Sequence, residues 1–164
     1  MLPMPLSFVR DIMEKNILSV HPETPLLEAY QILEDHRFDG LPVVDGHNRL
    51  VGILTEYDLI ANGPSPRLST FQKIFTELDI SNKNHPESQD GAASLDRLAV
   101  RDLMNPNPLT FTGDATIEEA VAVFREHHRV NPIPVIAPDR SVIGIISRYD
   151  VLKFFDRYQH PSQK

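Results

Sequence analysis

The 164-residue chain contains no cysteine and only seven glycines. Without cysteine it forms no disulfide bond and offers no thiolate to a metal ion, although this leaves the redox compartment open. The few glycines form neither a GxxxxGK[ST] loop nor a GxGxxG turn, which excludes the two common glycine-rich cradles for phosphate. Any phosphate must therefore be held by other groups.

Long apolar runs are also missing. No run approaches the roughly 20 residues of a membrane-spanning helix, and the first residues, MLPMPLSFVRDIM, lack the basic and apolar regions of a signal peptide. With an apolar fraction of 41% and a charged fraction of 24%, the composition is typical of a globular protein in solution. We expect a cytoplasmic protein with no membrane partner.

Positive charge is in short supply, since 16 lysines and arginines stand against 23 aspartates and glutamates. The formal net charge of −7 argues against a nucleic-acid partner, whose binding depends on the neutralisation of many phosphates. A small anion can still bind where a few basic residues cluster. The histidines do not suggest a metal site, because the adjacent His127 and His128 would point apart on a helix.

The chain does contain an internal repeat. Gly52–Ile60 reads GILTEYDLI and Gly144–Leu152 reads GIISRYDVL, an offset of 92 (144 − 52). Upstream, VRDIM at Val9–Met13 returns as VRDLM at Val100–Met104, an offset of 91 (100 − 9). One residue is therefore inserted in the second copy, between its first helix and the strand that follows.

Both copies predict the element order β-α-β-β-α. The helices show apolar residues at i, i+3, i+4 and i+7, which places these residues on one face. They are Leu26, Ala29, Tyr30 and Leu33 in the first copy, and Ile117, Ala120, Val121 and Phe124 in the second. Thr24 before Pro25 predicts an N-cap with proline at the first helical position, and Thr116 with Glu119 predicts a capping box. The predicted strands are Ile17–Val20, Leu41–Val44 and Leu50–Leu54, and then Leu109–Thr112, Ile133–Ile136 and Val142–Ile146.

The repeats and the segment between them define the predicted domain layout. We assign residues 7–62 to the first repeat, 63–94 to a linker, and 95–158 to the second repeat, which opens with a helix over LDRLAVRDLM. The linker contains an amphipathic segment at about 67–78, predicted to pack on the module or on a partner, and a polar, mobile loop at 79–94. Units of about 50 residues are marginal alone, so we expect the repeats to pack together with pseudo-twofold symmetry.

A T-x-x-D pattern ends the last strand of each copy, as Thr55–Asp58 and as Ser147–Asp150. A Thr or Ser between a strand and a helix is a favourable N-cap, and an Asp three residues later suits the helix dipole. A second interpretation is a small ligand site, in which the helix start binds an anion and the Asp accepts hydrogen bonds from a ribose. The pattern alone leaves both open.

Taken together, the motifs RD-h-M, h-P-V and G-h-h-[TS]-x-x-D, where h is apolar, resemble those of the CBS domain, named after cystathionine β-synthase. The resemblance extends over both repeats, so the chain is similar to a tandem CBS pair, or Bateman module. It implies an α/β (α+β) fold of two β-α-β-β-α repeats in a disc-like pseudo-dimer. It also implies two clefts between the repeats that bind adenine nucleotides, such as AMP, ADP or ATP, as regulatory ligands.

The same resemblance implies which residues bind the ligand. The base would pack against the segment before the first helix and against the h-P-V strand. These residues are Ile17, Ser19, Val20, Leu41, Pro42 and Val43 for one site, and Pro108, Leu109, Thr110, Ile133, Pro134 and Val135 for the other. Asp58 and Asp150 would bind the ribose hydroxyls, and Thr55 and Ser147 would contact phosphate. Tyr57 and Tyr149 are candidates for the cleft walls.

We expect the two sites to differ in charge. Arg148 lies beside the second T-x-x-D motif, and His128, Arg129 and Asn131 precede the following h-P-V strand. The first copy has Glu56 in the place of Arg148 and Asp39 on the equivalent turn, with Arg37 as the nearby cation. An arginine offers phosphate a bidentate fork, whereas a carboxylate repels it. The Ser147–Asp150 site is therefore expected to prefer phosphorylated ligands, and the Thr55–Asp58 site to be empty or to take a less anionic adenosyl compound.

These features favour a non-enzymatic regulatory module that requires no cofactor, forms a homodimer and acts on an unidentified effector protein. The alternative is a ligand-free scaffold for dimerisation or interaction, in which the T-x-x-D motifs are helix caps only. A catalytic role is disfavoured because no nucleophile has an obvious base and orienting group.

Overall fold

The structure is a computed structural model, and it describes residues 7–61 and 98–159. The predicted amphipathic helix and polar loop of the linker lie outside these residues. The described part contains two units of similar order, joined by backbone hydrogen bonds.

The first unit contains three helices and a hairpin of two strands. The elements are α1 (Val9–Ile12), α2 (Leu26–His36), β1 (Gly40–Val44), β2 (Leu50–Thr55) and α3 (Glu56–Ala61). Strands β1 and β2 are antiparallel, with Leu41 opposite Leu54. The apolar face of α2 covers this hairpin and forms the first core, whose members include Leu26, Ala29 and Val43.

The second unit repeats this order and also contains a short first strand, which the first unit lacks in the described residues. Its elements are a 3₁₀ helix (Val100–Asp102), β3 (Phe111–Thr112), α4 (Ile117–Glu126), β4 (Ile133–Ile136), β5 (Val142–Ile146) and α5 (Arg148–Gln159). Strand β3 is parallel to β4, and β4 is antiparallel to β5. The capping box of Thr116 and Glu119 is confirmed, since the Thr116 hydroxyl accepts from the Glu119 amide at 3.2 Å. The predicted mixed fold of helices and small sheets is also confirmed.

Some predicted boundaries are wrong. Of the strand expected at Ile17–Val20, only Val20 pairs, in a single bridge to Val43, and the strand expected at Leu109–Thr112 is reduced to Phe111–Thr112. The remaining residues of these stretches are largely solvent-exposed or line the cavities described below, and no neighbouring strand of the described chain pairs with them.

Two predicted helix starts also differ. Helix α2 has Pro25 rather than Thr24 as its N-cap, because the Thr24 hydroxyl already accepts the His21 amide in a preceding turn at 3.0 Å. Within the helix predicted for LDRLAVRDLM, the described residues contain only the 3₁₀ turn at Val100–Asp102. That turn is closed by Asp102, whose carboxylate accepts the Ala99 amide at 2.8 Å.

The segment that opens each unit packs on the opposite unit. We call residues 8–14 and 99–105 the leading segments. In the first, Val9 donates its amide to Ala115 O at 2.8 Å, and Glu14 and Ile145 exchange two backbone hydrogen bonds of 2.9 and 3.0 Å. The Val9 side chain is 0% exposed and belongs to the second core, with Phe111 and Val135. The first leading segment therefore completes the second unit.

The second leading segment does the reverse. Val100 donates its amide to Thr24 O at 2.9 Å, and Asn105 and Ile53 exchange two backbone hydrogen bonds of 2.8 and 3.0 Å. The side chains of Val100 and Leu103 are buried in the first core. Each unit therefore depends on the other for part of its core and for the pairing of its last strand.

Backbone contacts between the units also follow a pseudo-twofold symmetry. Leu50 donates its amide to Arg140 O at 3.0 Å, and its counterpart Val142 donates to Asn48 O at 3.1 Å. Val44, Leu50 and Val142 form a small shared core at this contact. Because each contact recurs between residues offset by 91 or 92 positions, the predicted pseudo-twofold packing is confirmed.

The repeated glycine of the G-h-h-[TS] motif gives a direct test of these contacts. A Cβ atom at Gly52 would lie 2.8 Å from Met104 Sδ and 2.9 Å from the backbone oxygen of Asn105, whereas a Cβ atom at Gly144 would meet only side-chain atoms of Met13 among its three nearest neighbours. Methionine can change rotamer but a paired backbone cannot. We expect Gly52→Ala to lower the free energy of unfolding by about 1–3 kcal/mol, and Gly144→Ala to lower it less. Urea denaturation of both variants measures this, and a larger loss for Gly144→Ala would contradict it.

Candidate functional site

Two cavities lie between the units at pseudo-symmetric positions, with volumes of about 480 and 430 Å³. The larger, which we call the Asp150 cavity, places Ser147 and Asp150 opposite Ile17, Leu18 and Pro42. The smaller, which we call the Asp58 cavity, places Thr55 and Asp58 opposite Pro108, Leu109 and Asn131. Both volumes lie within the range of ordinary small-molecule sites, roughly 300–1,000 Å³.

The structure thus pairs the two halves of each site across the repeats rather than within them. The T-x-x-D motif of one repeat faces the segment before the first helix of the other. The leading segments explain this arrangement. Residues that follow Glu14 run beside Ser147 because Glu14 is paired with Ile145, and residues that follow Asn105 run beside Thr55 because Asn105 is paired with Ile53. The sequence analysis placed Arg129 and Asn131 with Ser147–Asp150 and Asp39 with Thr55–Asp58, whereas these residues line the opposite cavities.

Apart from Arg148, which is described below, the predicted site residues fall into three groups. Those that line a cavity are Ile17, Pro42, Ser147, Tyr149 and Asp150 at the Asp150 cavity, and Thr55, Tyr57, Asp58, Pro108, Leu109, Arg129 and Asn131 at the Asp58 cavity. Those buried away from both cavity walls are Val20, Leu41, Val43, Ile133, Pro134 and Val135. Ser19 and Thr110 are exposed outside the walls. The h-P-V strands therefore mainly form the cores, and Pro42 is their contribution to a cavity wall.

Several wall residues are absent from the sequence-based prediction. They include Glu14, Asn16 and Gly40 at the Asp150 cavity, and Ile53, Met104, Asn105, Pro106 and Asn107 at the Asp58 cavity. Extending the repeat alignment by a few residues would have found most of them, because EKNIL follows RDIM as NPNPL follows RDLM.

Asp58 has a fixed orientation at its cavity. One carboxylate oxygen, Oδ2, accepts hydrogen bonds from the Thr55 amide at 2.9 Å and from the Thr55 hydroxyl at 2.6 Å. The Asp58 amide in turn donates to the Thr55 hydroxyl oxygen at 3.3 Å, and the residue is 7% exposed. No group in the described part of the chain bonds the second oxygen, Oδ1. A ligand hydroxyl can therefore donate a hydrogen bond to Oδ1 of the oriented, charged Asp58 carboxylate.

Asp150 has the same cap but a different second contact. Its Oδ2 accepts from the Ser147 amide at 2.9 Å and from the Ser147 hydroxyl at 2.7 Å. Its Oδ1 lies 3.0 Å from Lys153 Nζ, and the position equivalent to Lys153 in the first repeat is Ala61. In both motifs the hydroxyl proton is committed to the aspartate, so the phosphate contact expected of Thr55 and Ser147 is not supported by this geometry.

Arg129 lies at the mouth of the Asp58 cavity. It occupies the region of the one-residue insertion, and its Nη1 donates to the Tyr57 hydroxyl of the other repeat at 2.9 Å. Its guanidinium carbon lies 5.5 Å from the centre of the Tyr57 ring, within cation–π range. Arg129 is the one Lys or Arg side chain that lines this cavity among the described residues. Its contact is exposed, so a ligand anion can compete for it.

Arg148 has a structural role instead. Its guanidinium donates to Phe124 O at 2.7 Å and to His127 O at 2.8 Å, and so satisfies carbonyls at the end of α4. It lies over the ring of Phe124 and outside the walls of both cavities. The expected contribution of Arg148 to phosphate binding is not supported by this position.

Glu56, the counterpart of Arg148, lies among other acidic groups. Burial raises the pKa of the Glu56 carboxyl above its usual value, and the nearby carboxylates of Asp39 and Glu34 raise it further. Because Glu56 takes the place of Arg148, the arginine contact to the end of α4 is not repeated at α2 in the described residues. Asp39, on the turn after α2, adds a negative charge to the wall of the Asp150 cavity.

The described residues include no group of three or more histidines and carboxylates that could hold a metal ion. Among the same residues, no helix is both long enough and apolar enough to cross a bilayer.

The sequence model of the CBS domain matches residues 9–64 and 100–157, which together exceed half of the chain. The chain belongs to the CBS domain family. Two curated relatives from Arabidopsis thaliana are the chloroplastic CBS domain-containing proteins CBSX2, 31% identical over 140 residues, and CBSX1, 32% identical over 135 residues. These alignments cover 85% and 82% of this chain but only 58% and 57% of the relatives.

A solved structure of CBSX2 in complex with AMP has a similar fold. Its TM-score to this CBS pair is 0.68, at 25% sequence identity, and the alignment covers 93% of this chain and 98% of that one. The family assignment agrees with the geometry above, in which both repeats contribute to each cavity.

Proposed function

We propose that this CBS pair is a regulatory module that binds an adenine nucleotide with one phosphate, such as AMP, in the Asp58 cavity. The observation that carries the proposal is the carboxylate of Asp58, which Thr55 orients in a cavity that also contains Arg129, and whose Oδ1 bonds no group of the described residues. The similarity to a CBSX2 structure determined with AMP supports the choice of ligand.

Each part of the nucleotide has a matching group in the cavity. The cavity wall includes the apolar side chains of Ile53, Leu109 and Val130, which suit a base. Asp58 suits the ribose diol, whose hydroxyls donate to a charged acceptor. Arg129 suits the phosphate, and because it is the single Lys or Arg in the described walls, one phosphate is better matched than two or three. ADP and ATP are therefore expected to bind no better than AMP.

This proposal reverses the charge preference expected from the sequence. Arg129 and Asn131 were expected beside Ser147–Asp150. Both line the Asp58 cavity, and Asn131 in addition accepts the Arg148 amide at 2.9 Å. Asp39, expected beside Thr55–Asp58, lines the Asp150 cavity. Each cavity wall contains one arginine, Arg129 or Arg37, but the Asp150 cavity also contains the carboxylates of Glu14 and Asp39. The Asp58 cavity is therefore the one that suits a phosphate.

Regulation follows from the position of the cavity. A nucleotide there contacts Asp58 of one repeat and Arg129 and Leu109 of the other, so binding favours those relative orientations of the repeats that it fits best. We propose that this shift is transmitted to a second copy in a homodimer or to an effector protein. The module is proposed to act without catalysis or a required cofactor. Its cytoplasmic location stays a prediction, since the two relatives are named as chloroplastic proteins.

One observation favours the ligand-free scaffold. Both T-x-x-D motifs form helix caps through hydrogen bonds between their own two residues, so a capping role alone can account for these residues. A scaffold of this kind would show no change in stability with any adenine nucleotide.

Arg129 provides the first test of the proposal. Isothermal titration calorimetry of the full chain with AMP and with adenosine measures the contribution of the phosphate. We expect AMP to bind about tenfold more tightly than adenosine, a difference of about 1.4 kcal/mol, and Arg129→Gln to abolish most of that difference while adenosine binds as before.

Arg148→Gln is the matched control. It removes a guanidinium 19 positions away in the chain (148 − 129) that lies outside both cavity walls. We expect it to lower the melting temperature, because carbonyls of α4 lose their charged donor, and to leave the AMP-to-adenosine ratio unchanged. If AMP does not bind the wild-type chain at all, the scaffold is the better account.

A further inference from the structure

A hydrogen bond joins the two units at the mouth of the Asp58 cavity. Arg129, on the turn between α4 and β4, donates from Nη1 to the Tyr57 hydroxyl at 2.9 Å, and its guanidinium carbon lies 5.5 Å from the centre of the Tyr57 ring. Tyr57 belongs to the first turn of α3, next to Asp58. Both partners line this cavity. We call this contact the Arg129–Tyr57 latch, because it connects α3 of the first repeat to the second repeat.

The other cavity contains the same two residue types without the latch. Arg37 and Tyr149 line the Asp150 cavity. They correspond to Arg129 and Tyr57 at the common offset of 92 (129 − 37 and 149 − 57). Among the described residues no hydrogen bond joins Arg37 to Tyr149, and Lys153 Nζ lies 4.7 Å from the centre of the Tyr149 ring instead. The latch is therefore a property of the cavity proposed to bind AMP and not of the repeat in general.

The latch and a bound phosphate require the same guanidinium. Arg129 is the one Lys or Arg side chain in the described walls of this cavity. A charged phosphate oxygen is a stronger acceptor than the neutral Tyr57 hydroxyl, and a bidentate contact uses two neighbouring N–H groups of the fork. A nucleoside without a phosphate offers no charged acceptor at its 5′ end. The contact therefore has two states, one closed on Tyr57 and one open towards a phosphate.

We propose that the Arg129–Tyr57 latch is an autoinhibitory contact that detects the phosphate of the nucleotide. This inference rests on the proposed function, because it concerns the regulation of the site proposed for AMP. The phosphate takes Arg129 from Tyr57 and so releases α3 of the first repeat from the second repeat, whereas adenosine binds with the latch closed. Because the open state is the one that binds phosphate, the closed latch reduces the apparent affinity for AMP. The module then responds to the charge of its ligand as well as to the occupancy of the cavity.

Tyr57→Phe is the direct test. The substitution removes the hydroxyl that accepts from Arg129 and keeps the ring, at a position that is 44% exposed. In calorimetric titrations of the full chain we expect AMP to bind about three- to tenfold more tightly to the variant, which corresponds to a latch that is open in about a third to a tenth of wild-type molecules. Adenosine should bind as before. Unchanged or weaker binding of AMP would overturn the proposal, since a tyrosine that positions the arginine for phosphate predicts weaker binding.

Two further variants assign the effect to the latch. Tyr149→Phe removes the same hydroxyl from the pseudo-equivalent tyrosine, which has no latch, and is expected to leave the affinity for AMP within about twofold of the wild-type value. In the Arg129→Gln background, Tyr57→Phe should no longer change the affinity for AMP, because no guanidinium is left to release. A gain in AMP affinity that persists without Arg129 would contradict the latch.

Fluorine NMR follows the latch itself. The chain has four tyrosines, so in protein labelled with 3-fluorotyrosine the Tyr57 resonance is identified by its loss in Tyr57→Phe. The position of this resonance in the Arg129→Gln protein marks the open state. We expect saturating AMP to move the resonance towards that position, and adenosine to leave it near its position in the free protein. Equal movement with both compounds, or none with AMP, would overturn the inference.

Failure of the proposed function has a different signature. It is the absence of AMP binding to the wild-type chain, or an AMP-to-adenosine ratio that Arg129→Gln does not change, and the latch falls with it. Failure of the latch alone leaves both of those results as expected and removes the effect of Tyr57→Phe.

Discussion

Replacing Val9 by aspartate is expected to lower the free energy of unfolding by more than about 4 kcal/mol, a large part of the ~5–15 kcal/mol stability of an ordinary domain. The Val9 side chain is 0% exposed and lies in the second core, beside Val135 and Phe111. A carboxylate there has no cation among the members of that core. Guanidinium denaturation of the variant and the wild-type chain measures the loss.

Ser19→Asp is a suitable control because it introduces the same charge at an exposed position ten residues later (19 − 9). Its effect is expected to stay within about 0.5 kcal/mol. A comparable, small effect at both positions would show that the first leading segment is not part of a core.

A double-mutant cycle shows which core is involved. Val9→Ala combined with Val135→Ala, in the second core, is expected to be non-additive by more than 0.5 kcal/mol. Val9→Ala combined with Leu54→Ala, in the first core, is expected to be additive. Additivity with Val135→Ala and non-additivity with Leu54→Ala would mean that the first leading segment packs on its own repeat and that each repeat is a self-contained unit.

The exchange of leading segments also sets the limit of what the sequence could predict. The duplication, the helices α2 to α5 and the four longer strands follow from helical periodicity, short apolar runs and the repeated motifs, and these elements are present. A repeat alignment gives the same pattern whether a segment packs on its own unit or on the other one. Val9 and Val100 are apolar in either arrangement, so the pairing of half-sites could not be derived from the sequence.

Arg148 illustrates a second limit. An arginine beside a T-x-x-D motif is equally suited to a phosphate and to the carbonyls at the end of a neighbouring helix. The choice depends on where the end of α4 lies in space, and the guanidinium contacts Phe124 O and His127 O. Arg129 appeared equivalent to Arg148 in sequence, but its guanidinium contacts the Tyr57 hydroxyl of the other repeat.

The T-x-x-D caps could be predicted from the sequence because they form between residues only three positions apart. The caps of Thr55–Asp58 and Ser147–Asp150 require only a hydroxyl residue and an aspartate three positions later, and both form as expected. The sequence left open whether these motifs are caps alone or also ligand sites. The structure adds one difference between the two motifs: Asp150 contacts Lys153, whereas no group of the described residues bonds Asp58 Oδ1.

Asp58→Asn is therefore expected to weaken the binding of AMP by about 10- to 100-fold, the equivalent of losing a hydrogen bond to a charged acceptor at about 1.5–3 kcal/mol. The asparagine oxygen can replace Asp58 Oδ2 and accept from the Thr55 amide and hydroxyl, so the helix cap is kept. The atom that faces the ligand then becomes an NH₂ group, a donor instead of an acceptor. Binding is lost without loss of the fold, as calorimetry and thermal unfolding of the same sample would show.

Asp150→Asn makes the same chemical change at the pseudo-equivalent residue. It should leave the affinity for AMP within about twofold of the wild-type value, because AMP is proposed to bind at the other cavity. The ratio of the AMP affinities of the Asp58→Asn and Asp150→Asn variants therefore decides which cavity binds AMP. Equal weakening by both would mean that the cavities share the nucleotide, and the charge difference created by Glu14 and Asp39 would then have no effect on its choice of site.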